Sequence, residues 1–298
     1  MRWFFFAMSI LLPAGAAHAQ EGWPADRLEP SLATGDLLAT RTARLVPGRI
    51  EVSLGADWAH HLLGRAAPGE STAWIVSHRL SVRAAVAYTP GRSLRLAAGF
   101  CGVPLQQGTR TDAAGAAVPL RASMGGSWVA ATWAVPDPLV RPLQAAVATS
   151  LVLPTAPAAG LAGGEQIEIR MLVLLSGSFW WLRPALNLGV VSRARTRFAE
   201  LVIDDGLIYR AGIELGPPGW ILAATAEIAG EAPLDDPAAG GPQSLLEALV
   251  GLKIIGLWGI EIRLGAGFGL MGAGSPACRG LVLARWAAPA EKSDETVE

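Results

Sequence analysis

Residues 258–270 read Trp258-Gly-Ile-Glu-Ile-Arg-Leu-Gly-Ala-Gly-Phe-Gly-Leu270, and this stretch decides the fold class. Its even positions are Trp258, Ile260, Ile262, Leu264, Ala266, Phe268 and Leu270; its odd positions are Gly259, Glu261, Arg263, Gly265, Gly267 and Gly269. A strict period of two sends successive side chains to opposite faces of a strand. A helix here would carry four interior glycines at a cost of roughly 0.8–1 kcal/mol each. One face is apolar throughout, and the other carries Glu261, Arg263 and bare backbone. A soluble sheet would turn the apolar face into its core, whereas a membrane barrel turns it to lipid and the polar face to the lumen. The choice between them rests on the remaining sequence.

The chain has 298 residues, a formal charge of −1, 16% charged and 51% hydrophobic residues, 35 Gly and 21 Pro. Without a basic stripe there is no reason to expect nucleic-acid binding. The abundance of Gly and Pro argues against a helical protein. Met1-Arg2, the apolar run Trp3–Leu12 and the small-residue site Ala17-His18-Ala19 have the form of an export leader over residues 1–19, with Gln20 as the expected first mature residue. No later stretch offers about twenty consecutive apolar residues, as a spanning helix requires. An exported chain this apolar folds either as a secreted soluble protein or as a closed barrel. Cys101 and Cys278 are the only cysteines, expected on non-neighbouring strands and therefore as free thiols.

Residues 20–48 lack periodicity and are expected to form a periplasmic lead-in. Alternating segments then recur through residues 49–287, followed by a polar tail over 288–298. In Arg49–Leu62, Glu51 and Asp57 share the face opposite Ile50, Val52, Leu54 and Trp58. The next two segments place Arg79, Arg83 and Arg95 opposite Leu80, Val82, Val86, Leu94 and Leu96. Further on, Glu168 and Arg170 share the polar face, as do Arg183 with Asn187, and Arg210 with Glu214. Glu227, Glu247, Lys253, Glu261, Arg263, Arg279 and Arg285 complete the set expected to line a lumen. Gly126–Val135 is the weakest segment; its pattern places Trp133 inward with no charge beside it.

About twelve strands result, each near the 9–11 residues that a tilted strand needs to cross a bilayer. Short turns near Pro90, Pro136, Ser176, Pro217 and Ile255 interleave with longer loops near Gly64, Thr109, Ala159, Thr196, Asp235 and Ala273. Regular alternation of short and long connections suits an outer-membrane barrel with both ends periplasmic, and a soluble sandwich has no reason for it. Trp58, Trp74, Tyr88, Trp180, Trp220, Trp258 and Trp286 fall near strand ends, where interfacial girdles form. The fold expected is therefore an all-β, antiparallel up-and-down transmembrane barrel in a Gram-negative outer membrane.

Ser244–Lys253, Gly265–Leu270, Gly274–Ala277 and Arg279–Trp286, with weaker support from Leu28–Leu62 and Trp74–Leu105, resemble the N-terminal barrel region of long OmpA-family outer-membrane proteins. The resemblance implies an envelope location and a transporter-like pore, and supplies no catalytic residues. Such proteins often continue into acidic calcium-binding repeats and a peptidoglycan-binding domain. This sequence has the polar run Glu291–Glu298 instead, so wall anchoring does not carry over.

Three motifs carry alternative chemistry. Gly267-x-Gly269-x-x-Gly272 matches a dinucleotide fingerprint by letters, but it closes a strand and has no helix behind it to hold a pyrophosphate. Asp57 and His61 are expected on the inner face with His60 opposite, so no metal or acid–base cluster forms locally. A lipid hydrolase would need a nucleophilic serine beside an outward histidine such as His60 or His78, and no strand presents an evident match. No cofactor is expected, and the partners expected are outer-membrane lipid and small solutes. The mixed lumen charges leave two main readings: a narrow passive pore, or a structural or surface-interaction barrel closed by salt bridges.

Overall fold

The computed structural model of the chain describes residues 27–32, 36–65, 73–111, 117–135, 142–155, 166–198, 201–217, 219–238, 243–272 and 274–288. The leader over residues 1–19, the polar tail beyond residue 288 and the Trp74 side chain lie outside the described residues.

Twelve strands form one closed antiparallel barrel: β1 (Arg49–Arg65), β2 (Ala73–Thr89), β3 (Leu94–Thr111), β5 (Ser123–Ala134), β6 (Leu143–Leu153), β7 (Glu168–Gly177), β8 (Leu182–Arg193), β11 (Gly206–Leu215), β12 (Leu222–Pro233), β13 (Leu245–Ile255), β14 (Ile260–Met271) and β15 (Cys278–Ala287). Three short strands sit on the long loops: β4 (Ala117–Pro119), paired with β3, and the hairpin of β9 (Thr196–Phe198) and β10 (Leu201–Ile203). Closure comes from β1, which pairs with β15 from Glu51↔Ala287 to His60↔Cys278 and with β2 on its other side. A closed ring leaves no edge strand, as a structure surrounded by lipid requires. β1, β2 and β3 run 17, 17 and 18 residues, well beyond the crossing length, and project at the long-loop end. There Leu62, Leu63, Val76, Leu120 and Ile203 pack into a buried apolar cluster.

The inside–outside pattern follows the period-two reading. Ile50, Val52 and Leu54 are exposed while Glu51, Ser53 and Asp57 are buried. In β14, Ile262, Leu264 and Phe268 are exposed while Glu261 and Arg263 are buried. The charged face is thus the buried one and the apolar face the exposed one, the inverse of a soluble protein. Trp133 corrects the expectation for β5. It is 56% exposed on the outer face, and Trp128, Ala130 and Thr132 line the inside. β5 is so rich in Gly, Ala and Ser that its alternation carries little amphipathic signal.

Aromatics concentrate at one end. Tyr88, Trp133, Trp180, Trp181, Trp220, Trp258 and Trp286 are all exposed and lie beside the short turns or at strand ends on that side. Trp180 and Trp258 adopt left-handed backbone within those turns. Gly272 is a glycine that conformation requires: its φ is 94°, and a Cβ would lie 1.5 Å from the Ser244 carbonyl oxygen.

Candidate functional site

The expected lumen residues are brought together on the inner face. Near the short-turn end an ion-pair belt runs Arg95–Glu51–Arg285–Glu261–Lys253–Glu214–Arg183. Its contacts are 3.0 Å (Arg95–Glu51), 3.8 Å (Arg285–Glu51), 2.8 Å (Arg285–Glu261), 3.7 Å (Lys253–Glu261) and 2.8 Å (Lys253–Glu214), with Arg183 pairing directly to Glu214. Arg263 also meets Glu261 at 2.7 Å. A second chain crosses from Arg83 through Asp57 and Arg279 to Glu247. Arg279 donates at 2.9 Å to Asp57 and through Nε and Nη2 at 3.0 and 3.1 Å to Glu247. Arg79 is buried and donates from Nε to the Ser81 hydroxyl at 3.2 Å. Glu168 and Arg170 pair with each other toward the long-loop end. Arg193 and Glu231 join them there; both were missed in sequence, because the strands run further than the alternation shows.

The sequence reading leaves the segment before β1 as a lead-in outside the barrel; its described residues lie inside it. Leu28, Leu37, Leu38, Ala39, Thr40 and Ala43 are buried, and the described residues of 27–45 lie along the lumen, from Arg27 and Glu29 near the long-loop end to Ala43 near the short-turn end. The inner wall grips this segment largely by its main chain. Glu227 accepts the N–H groups of Leu38, Ala39 and Thr40, the last two at 3.0 and 2.7 Å. Asn187 accepts from Arg41 N–H and donates to the Arg41 carbonyl, both at 2.8 Å. The Ser176 hydroxyl accepts from Ala43 N–H at 3.1 Å. Arg210 donates to the Ala39 carbonyl at 2.7 Å, and Arg263 to those of Leu37 and Ser31 at 2.7 and 3.0 Å.

Side chains add to the grip. Arg27 meets Glu231 at 3.1 Å, and Glu29 pairs with Arg170 and, at 3.7 Å, with Arg41. Burial raises the Glu29 carboxyl pKa, but the guanidiniums of Arg170, Arg41 and Arg210 outweigh it and hold the group at about 2. Asp36 ties the segment to itself through Ser31 Oγ and, at 2.6 Å, through Thr42 N–H. Inner-face glycines make room for this segment. Ideal Cβ atoms at Gly251 and Gly265 would lie 2.9 and 2.6 Å from Leu38 Cδ1, and one at Gly212 would lie 2.7 Å from Leu37 Cδ2.

Filling is uneven. Between the segment and the inner faces of β2, β3 and β5 lies a cavity of about 50 Å³. Arg83, Arg95, Trp128, Thr132, Glu29 and Arg41 are among its lining residues.

The outer face carries one correction. His61 lies at φ 53° beside a bulge between His60 and Leu63, and its ring stacks on His60 at 3.7 Å instead of pointing inward. His60 Nδ1 lies 3.1 Å from His78 Nδ1, and both rings stack against Trp58. Among the described residues no group of three or more His, Cys, Asp or Glu side chains is arranged to hold a metal ion. Cys101 and Cys278 are free, on β3 and β15 with β1 and β2 between them.

No protein-family model matches the sequence, and no curated protein matches it. Solved structures do match in shape. An outer-membrane channel from Pseudomonas putida F1 superposes with a TM-score of 0.60 at 11% identity, over 82% of this chain and 96% of that one. The KdgM porin gives 0.49 at 9% identity, over 79% of this chain and 98% of its own. The CymD monoaromatic hydrocarbon channel gives 0.43 at 10%, over 82% and 89%. Membership of the OmpA family is a narrower statement that none of these likenesses carries. At such identities the likeness is one of architecture: the chain has the closed antiparallel β-barrel fold of outer-membrane proteins.

Proposed function

We propose that this protein is an outer-membrane channel for small solutes whose resting state is closed by its own N-terminal segment. The observation that carries the reading is the docking of residues 36–45 across the lumen on Glu227, Asn187, Ser176 and Arg210. A barrel serving only as a scaffold could fill its interior with apolar side chains, since a buried ion pair is at best a weak source of stability. Here the wall instead keeps a polar interior and occupies it with a segment joined to β1 through Gly48. Such a plug leaves by breaking hydrogen bonds, which water can replace, and by withdrawing Leu28, Leu37, Leu38 and Ala43 from their apolar contacts with the wall. Export through the residue 1–19 leader and an apolar exterior facing lipid support the outer-membrane location.

A second reading has its own support. The belt from Arg95 to Arg183 would persist without the plug and could narrow the short-turn end enough to make the barrel a closed structural module. Deleting residues 27–45 and recording single-channel conductance of the refolded protein in a planar bilayer separates the two. A silent intact protein and a steadily conducting deletion variant are expected. A deletion variant that is folded, shown by a mobility shift on boiling, and yet silent would overturn the channel and leave the closed module.

A further inference from the structure

The wall groups that hold the plug read main chain more than side chain. We propose that the inner face formed by β7, β8, β11, β12 and β14 is a receptor for an extended peptide main chain, and that short peptides are the solute class this barrel admits. The inference rests on the channel reading above and names the solute for the same site.

Two features of the wall carry it. The first is the pattern of donors and acceptors. Glu227 accepts three successive N–H groups, Asn187 both accepts from and donates to one residue, and Ser176 accepts from the N–H two residues further on. Arg210 and Arg263 donate to the carbonyls of Ala39 and Leu37. Every one of these contacts is available to any peptide of suitable length, because each residue other than proline offers the same N–H and C=O. The second feature is that two of these groups form no salt bridge at contact distance. Among the described residues no Lys or Arg bridges to Glu227, and no carboxylate bonds to Arg210, although both are buried. Elsewhere on the wall carboxylates and guanidiniums pair with one another. Leaving a buried charge without hydrogen bonds is costly, so this pair favours an occupant that brings amide donors and carbonyl acceptors together.

Other solute classes fit less well. An organic anion would meet Glu227, an acceptor only, at the centre of the docking track. A sugar offers hydroxyls, but not N–H and C=O groups at the repeat of a peptide. The glycines that admit Leu37 and Leu38 leave recesses for apolar side chains, so an uncharged or mildly apolar peptide suits the track. In this view the plug is a tethered stand-in for the solute.

The test uses the full-length protein and the variant lacking residues 27–45, each solubilised in detergent, with binding read by calorimetry. Three probes are compared: a capped peptide with the sequence of residues 36–44, a capped uncharged nonapeptide of unrelated sequence, and the unrelated peptide N-methylated at alternate amides. A maltooligosaccharide of similar length serves as the non-peptide control. The unrelated peptide should bind the deletion variant at least about tenfold more tightly than the sugar. N-methylation or Glu227→Ala should remove about tenfold or more, and the intact protein should bind all probes weakly. If only the peptide of residues 36–44 binds, the wall is a dedicated plug receptor and the proposal fails; equal binding of sugar and peptide overturns it too. Because the readout is binding, it stands apart from conductance: a silent deletion variant removes the channel reading, while the peptide result still decides the receptor.

Discussion

At the scale of single residues the interior is held by geometry, not by net charge. Arg279 shows this most clearly: its side chain is fully buried, it grips Glu247 through two nitrogens, and it reaches Asp57 with a third. Planar guanidinium against carboxylate is a fork-to-fork arrangement that lysine cannot reproduce. Removing one member of such a set leaves buried carboxylates short of donors, a loss on the order of 3–5 kcal/mol. Replacing both members by apolar groups of similar volume is often close to neutral. Arg279→Met should therefore lower unfolding stability by about 3–5 kcal/mol, and Arg279→Met with Glu247→Met should recover most of it. Urea unfolding followed by tryptophan fluorescence reads both. If the double variant is as weak as the single one, the cluster holds the barrel together through something other than satisfaction of its own charges.

At the scale of elements the strands and the plug differ in how far they are written locally. The faces of β1, β13 and β14 were legible because period-two alternation is carried by each strand's own residues, Ile and Leu against Glu and Arg. The bulge at His61 was not, because a register shift depends on the partner strand and no glycine marks it. β5 was misread for want of contrast between its faces. The plug was illegible for a deeper reason: residues 27–32 and 36–45 have little regular structure of their own, and they are held by wall groups up to 232 positions away, such as Arg263 with Ser31. Its docking nevertheless has a predictable pH dependence. Docked, Glu29 titrates at about 2; released, it returns to its ordinary 4.5. Between those values the docked form holds fewer protons, so acid favours release. The contribution of Glu29 is complete above about 4.5 and is lost as pH falls toward 2. Channel opening recorded at pH 7 and again near pH 3 should rise about tenfold or more in the intact protein. Glu29→Gln should open more readily at pH 7 and respond less to acid. Identical acid responses in the two would assign the transition to other carboxylates.

At the scale of the whole molecule the deciding property is the exterior. Val52, Leu54, Val250, Leu252, Phe268 and Val282 stand 44–56% exposed around the barrel, and the aromatics gather at its short-turn end. In water such a surface would be a large apolar patch that invites association. In a bilayer it is the surface that meets hydrocarbon, with tryptophan rings at the headgroup boundary. The two environments predict opposite responses to a charge on that face. Val250 lies mid-strand, 53% exposed, between Ala226 and Ala266 on the neighbouring strands. Val250→Arg should cost about 2–4 kcal/mol in lipid vesicles, as expected for arginine near the bilayer midplane. Trp258→Arg, in the girdle, should cost only about 0–1 kcal/mol from the same depth dependence, apart from the lost indole contact. For a soluble barrel the ranking would vanish, since exposed surface substitutions mostly fall within about 0.5 kcal/mol of neutral. Guanidinium titration of the protein folded into vesicles measures both variants against the parent. A large cost at Val250 with a small one at Trp258 places the hydrocarbon core across the middle of β13. Equal costs would mean that lipid does not surround these strands, and the transmembrane reading of the barrel would fall with them.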